Sequence, residues 1–161
     1  MISFRQKNGL GDPLGTLFPL APHFPFRNVS RMRALSIRQP FAWLIVAGIK
    51  DVENRTRRVS HRGPLLIHAS RQRAPTPLRE IEDRFRVAIP EHGLRYGGVI
   101  RIAELVECAT EHASPWFEGP FGLVLRNARE LPFIPMPGKL GLFTEPERLS
   151  QTIAAAVLAA A

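Results

Sequence analysis

The sequence predicts an α+β fold: a small, mixed, partly closed β-barrel of five to six short strands with two to three helices. Three observations lead there. The 161 residues, 45% of them hydrophobic, supply one core of ordinary size. From Ala34 onward, short alternating runs of strand length are interleaved with stretches whose apolar residues recur every three or four positions. Pro and Gly mark the boundaries between them, and the chain has no internal repeat.

In chain order, residues 1–31 hold four Pro, three Gly and four Phe with no periodicity and read as an irregular extension that packs little on the rest. Met32 could itself be an initiator, so the extension is either a misassigned upstream start or a tail whose Phe18, Phe24 and Phe26 lie on the domain surface. Residues 32–143 form the domain. Ala34–Ile37 is its first strand, and Pro40 opens a helix carrying Phe41, Leu44, Ile45 and Ala47 that ends at Gly48. Ile49–Arg57 is extended, and Pro64–Ser70 is a strand with Leu66, His68 and Ser70 on one face and Leu65, Ile67 and Ala69 on the other. Pro75 and Pro77 start a helix with an apolar face of Leu78, Ile81, Phe85 and Ala88, closed by Pro90 and Gly93. Strands follow at Gly97–Cys108, Phe121–Arg126 and Lys139–Phe143, separated by Pro/Gly-rich loops. Residues 144–161 form an Ala-rich C-terminal helix.

Composition excludes some classes of function. No apolar run approaches the roughly 20 residues of a membrane span, and prolines interrupt any signal-peptide core at the N-terminus. With Cys108 as the one cysteine and no zinc-like spacing, a reduced cytoplasmic setting with no metal and no cofactor is expected. The net charge is +8 and is concentrated: from Lys50 to Arg73 seven Lys and Arg oppose two acids. With 19 Arg to 3 Lys this reads either as compositional bias that keeps the protein soluble or as a phosphate-binding surface.

Gly48-Ile49-Lys50-Asp51-Val52-Glu53-Asn54-Arg55 fits the pattern G-x-K-x-x-E-x-R. Around it stand Leu35-Ser36-Ile37-Arg38-Gln39-Pro40, Leu66-Ile67-His68-Ala69-Ser70, Ser114-Pro115-Trp116-Phe117 running into Gly119-Pro120, and Gly138-Lys139-Leu140-Gly141-Leu142-Phe143. In this order the blocks resemble an ASCH domain over residues 32–143. The resemblance implies a PUA-like barrel, a cleft lined by the Lys/Glu/Arg motif, and a family associated with RNA or modified nucleosides.

The motif also has its own physical logic. In an extended segment Asp51, Glu53, Arg55 and Arg57 share a face with Lys50 opposite, whereas a bend after Gly48 lets Lys50 and Glu53 converge. Such a trio suits a phosphate, a base edge or an oxyanion; otherwise it is a surface ion-pair strand. In a nucleic-acid-binding module for RNA, Arg55, Arg57, Arg58 and Arg62 contact phosphate while a basic cleft accepts a base or a helix end. Ser36, Arg38, Gln39 and Lys50 are then candidate ligand contacts, and Trp116, in a loop between prolines, either stacks a base or caps the barrel end. Ser36 could equally belong to the capping region of the first helix. His68 reads as a core histidine rather than a catalyst.

The alternative is a metal-independent hydrolase. Some members of the resembled family cleave the amide of N4-acylated cytidine, and others are reported as ribonucleases. Lys50, Glu53 and Arg55 would be the catalytic set, with Lys50 activating a nucleophile or water. The deacylating branch carries Thr where this chain has Glu53, so that covalent route is closed and water attack assisted by Glu53 remains. One of Glu104, Glu107, Glu111 and Glu118 is expected to enter the cleft; Glu104 falls either among apolar strand neighbours or at an edge that reaches water. A partner-binding domain with a vestigial cleft is the third reading.

Overall fold

A computed structural model describes residues 31–90 and 92–160. The elements run β1 (Arg33–Gln39), α1 (Phe41–Val46), β2 (Val52–Arg55), β3 (Gly63–Arg73), α2 (Leu78–Phe85), β4 (Gly98–Ala109), β5 (Phe121–Pro135), β6 (Leu142–Thr144) and α3 (Glu147–Ala159). The expected packing of the N-terminal extension lies outside the described residues. The six strands form one sheet in the order β2-β5-β4-β3-β1-β6. It is mixed: β1 and β3 are parallel, and every other pairing is antiparallel.

The alternation in β3 divides the core in two. Leu65, Ile67 and Ala69 pack with Leu35, Ile37 and the α1 residues Ala42 and Ile45. Leu66 joins Ala34, Ile102 and the α3 residues Ile153 and Val157 on the opposite face. A third cluster, with Leu44, Val52, Ile81 and Trp116, fills the space beneath α2.

No backbone ladder joins the edge strands β2 and β6 among the described residues, so the sheet is not closed. It nevertheless curls. Three strands separate β2 from β1, which in a flat sheet would put them about 19 Å apart at ~4.8 Å per strand. Yet Arg55 of β2 donates to the carbonyl of Ser36 in β1 at 3.1 Å. That contact lies one residue beyond Leu35, where β6 stops pairing with β1. A side chain thus spans the seam of a barrel-like, PUA-compatible sheet.

Among the boundaries that differ from expectation, β1 and β3 run on to Gln39 and Arg73, beyond Ile37 and Ser70. β5 continues past Arg126 to Pro135. It pairs with β2 only over Phe121–Val124, so its later residues have a free side on which Pro132 is tolerated. β6 begins at Leu142 rather than Lys139, because Gly138–Gly141 is an exposed turn with Leu140 fully in solvent. α2 ends at Phe85, where Arg86 adopts the left-handed conformation at φ 53°.

Candidate functional site

The site is assembled by the chain between β1 and β2. After α1, the amides of Ile49 and Lys50 both donate to the Leu44 carbonyl. The turn needs Gly48 at φ +72°, a left-handed backbone that glycine adopts without a Cβ penalty. The bend turns Lys50 inward, leaving it 5% exposed. Its Nζ donates to the Val52 carbonyl and lies 3.3 Å from Glu53 Oε2. It also sits 5.7 Å from the ring centre of Phe41 and 5.6 Å from that of Trp116, within cation–π range.

Glu53 and Arg55 are two apart on β2 and share a face, where Arg55 Nη2 donates to Glu53 Oε1 at 3.2 Å. Glu53 is therefore held between two cations. Arg55 Nε is buried with no hydrogen-bond partner among the described residues.

The opposite wall is the 114–119 loop. Asn54 clamps it from β2, donating through Nδ2 to the Trp116 carbonyl at 2.8 Å and accepting the Glu118 amide on Oδ1 at 2.9 Å. Ser114 Oγ donates to Asp51 and accepts the Trp116 amide. Trp116 is 5% exposed, stacks on Phe85 at 3.7 Å between ring centres, and donates Nε1–H to the Ile49 carbonyl at 2.8 Å. Gly122 of β5 is pressed against this wall: a Cβ there would stand 2.6 Å from the Phe117 ring and 2.7 Å from Val52. Across the opening, Arg84 of α2 pairs with Glu118 at 2.7 Å.

These walls enclose a cavity of about 240 Å³. Phe41, Lys50, Glu53, Phe85 and Trp116 line it, with Asn54, Thr76, Ile81 and the charged Glu80, Arg84 and Glu118. Chemically it offers aromatic surface, an ammonium donor and a carboxylate acceptor side by side. The expectation of a basic cleft is corrected: among the described residues its lining has two cations, Lys50 and Arg84, against the carboxylates of Glu53, Glu80 and Glu118. The excess positive charge lies on other segments.

The model of the ASCH domain family matches residues 35–127, more than half of the chain. The chain belongs to the ASCH domain family. Crystal structures of an ASCH protein from Zymomonas mobilis and of a point mutant of it are similar to this ASCH domain. Both have a TM-score of 0.49, at 18% and 17% identity, covering 78% of this chain and 94% and 97% of theirs. No curated protein matches it.

The other residues singled out in the sequence lie around this ASCH domain's cavity rather than in it. Gln39 is buried, but its amide is engaged by the Trp43 amide and the Arg95 carbonyl. Ser36 Oγ turns to His68, and Arg38 pairs with Gln72 on the surface. Arg57, Arg58 and Arg62 are exposed on the β2–β3 loop; Arg58 lies over Phe121, and Arg62 bonds the Val59 and His61 carbonyls. Of the four candidate acids, Glu118 lines the cavity and Glu104 is half-buried, accepting from Asn127.

His68 Nε2 faces the Met136 carbonyl at 3.0 Å, which can only accept, so that nitrogen carries the proton and Nδ1 accepts from Ser36. Burial is the main influence lowering the His68 pKa below its ordinary 6.5, and the nearby positive charge of Arg71 acts in the same direction. Sequence reasoning gave no site role to Phe41, Asn54, Glu80, Arg84 or Phe85. Asn54 sits inside the recognised motif, which was the available signal; the helical apolar pattern gave Phe85 only a core role.

Proposed function

We propose that this ASCH domain binds a nucleobase or nucleoside, modified or not, in the cavity around Lys50 and Glu53. The observation that carries the reading is the pair of buried Lys50 and part-buried Glu53 at 3.3 Å within an aromatic-lined cavity. A base edge presents donors and acceptors on a flat apolar ring. The ammonium and carboxylate supply the complementary pair, and Phe41 supplies apolar surface. The volume suits one small ring system, being below the ~300–1,000 Å³ typical of pockets for drug-sized ligands. Where the base belongs to RNA, phosphate contact falls to the exposed Arg57, Arg58 and Arg62. Calorimetric titration with the four ribonucleosides and with single-stranded RNA tests this; retention of neither removes it.

A hydrolase acting on N4-acylcytidine-type nucleosides, or on RNA, is the second reading. It is favoured by the same ion pair, since a buried lysine beside a carboxylate is positioned to transfer a proton or stabilise an oxyanion. In that case Lys50→Ala lowers turnover of an N4-acylcytidine by roughly 10²-fold or more. Glu53→Gln separates a base, whose function is lost, from a group that only orders Lys50 and Arg55. Absence of turnover by the wild type leaves the binding reading alone.

A further inference from the structure

Resting on the nucleoside reading, we infer that the cavity rejects phosphorylated ligands. Glu80 and Glu118 make it a site for a free nucleoside or base rather than a nucleotide. The chain carries a net charge of +8, yet the described lining of its cavity sums to −1, two cations against three carboxylates. Neither cation is unengaged. Lys50 is paired with Glu53, and Arg84 with Glu118 at 2.7 Å. Glu80, which is exposed, has no ion-pair partner among the described residues.

The N-terminal end of α2 would ordinarily attract an anion, but Glu80 occupies its first turn. A phosphate entering here would bring its charge against Glu80 and Glu118 and find each cation already matched. Ribose hydroxyls, ring N–H groups and exocyclic amines meet the opposite condition, because the carboxylates accept hydrogen bonds from them.

The test is a titration of the full chain at low salt with each of the four ribonucleosides and its 5′-monophosphate. The expected result is that a nucleoside binds roughly tenfold or more tightly than its monophosphate, with the ratio shrinking as salt is added. In the double variant Glu80→Gln/Glu118→Gln, which frees Arg84 and removes two charges from half-exposed or exposed positions, the ratio falls towards one or inverts. The readout is the ratio within each protein, so a general loss of affinity does not imitate it. A wild-type monophosphate that binds as tightly as the nucleoside overturns the inference and leaves the nucleoside reading standing. So does a ratio that the double variant leaves unchanged. Binding of neither ligand overturns the nucleoside reading, and this inference with it.

Discussion

Lys50 is the residue on which the site turns, because a buried ammonium is tolerated only with its partners in place. Lys50→Met leaves the Val52 carbonyl without its donor but Glu53 still paired with Arg55, so it is expected to cost about 1–3 kcal/mol in stability rather than the larger cost of a stranded charge. Lys50→Met/Glu53→Gln should cost less than the sum of the two single changes, and chemical denaturation of the four proteins measures the coupling. Additive losses would mean that the pair carries no mutual stabilisation. His68 makes a separate prediction. Its lowered pKa means that the unfolded chain takes up the proton first as pH falls, so the stability held by the neutral ring is intact above 6.5 and lost progressively below it. Wild type should therefore lose more stability than His68→Gln between about pH 7 and about pH 5. Parallel pH profiles for the two proteins would contradict this.

At the scale of elements, the 114–119 loop forms the wall opposite Lys50 because Asn54 holds two of its backbone groups. Asn54→Ala should destabilise the protein by about 1–3 kcal/mol and speed hydrogen exchange at the Glu118 amide, while exchange in β3 and β4 follows global stability alone. Unchanged exchange at Glu118 would show that the loop is held by other contacts. The sequence made the order of elements legible because its strands alternate and its helices begin after prolines; the faces of β3 were readable from Leu65 to Ala69 for that reason. The end of β5 was not, since Pro132 and Pro135 argue against a strand unless one side is known to be free, and strand pairing is non-local. Likewise the motif showed that Lys50 and Glu53 could converge, but only the turn at Gly48 decides it. The contributions of α2, Glu80 and Arg84, come from a segment about thirty residues away in the chain, and no local pattern ties them to the motif.

For the whole molecule, the charge and the cavity are separate features. The exposed Arg57, Arg58 and Arg62 lie on the β2–β3 loop, whereas Arg55 is turned to Glu53 and the Ser36 carbonyl. If single-stranded RNA is bound through those three exposed arginines, log K should fall with log salt at a slope of about −2, and Arg57→Ala/Arg58→Ala should reduce it towards −1. An affinity indifferent to salt would remove phosphate contact as the basis of RNA binding. Curling of the sheet matters here too, because it brings β2 to β1 across the seam and lets Arg55 order Glu53 while bridging the two strands. The most direct test of the central claim is calorimetric titration of ribonucleosides into wild type and Glu53→Gln, a change that keeps the side-chain shape and removes the charge facing Lys50. The account predicts saturable binding by wild type and at least a tenfold loss in the variant; equal affinity in both proteins would contradict it.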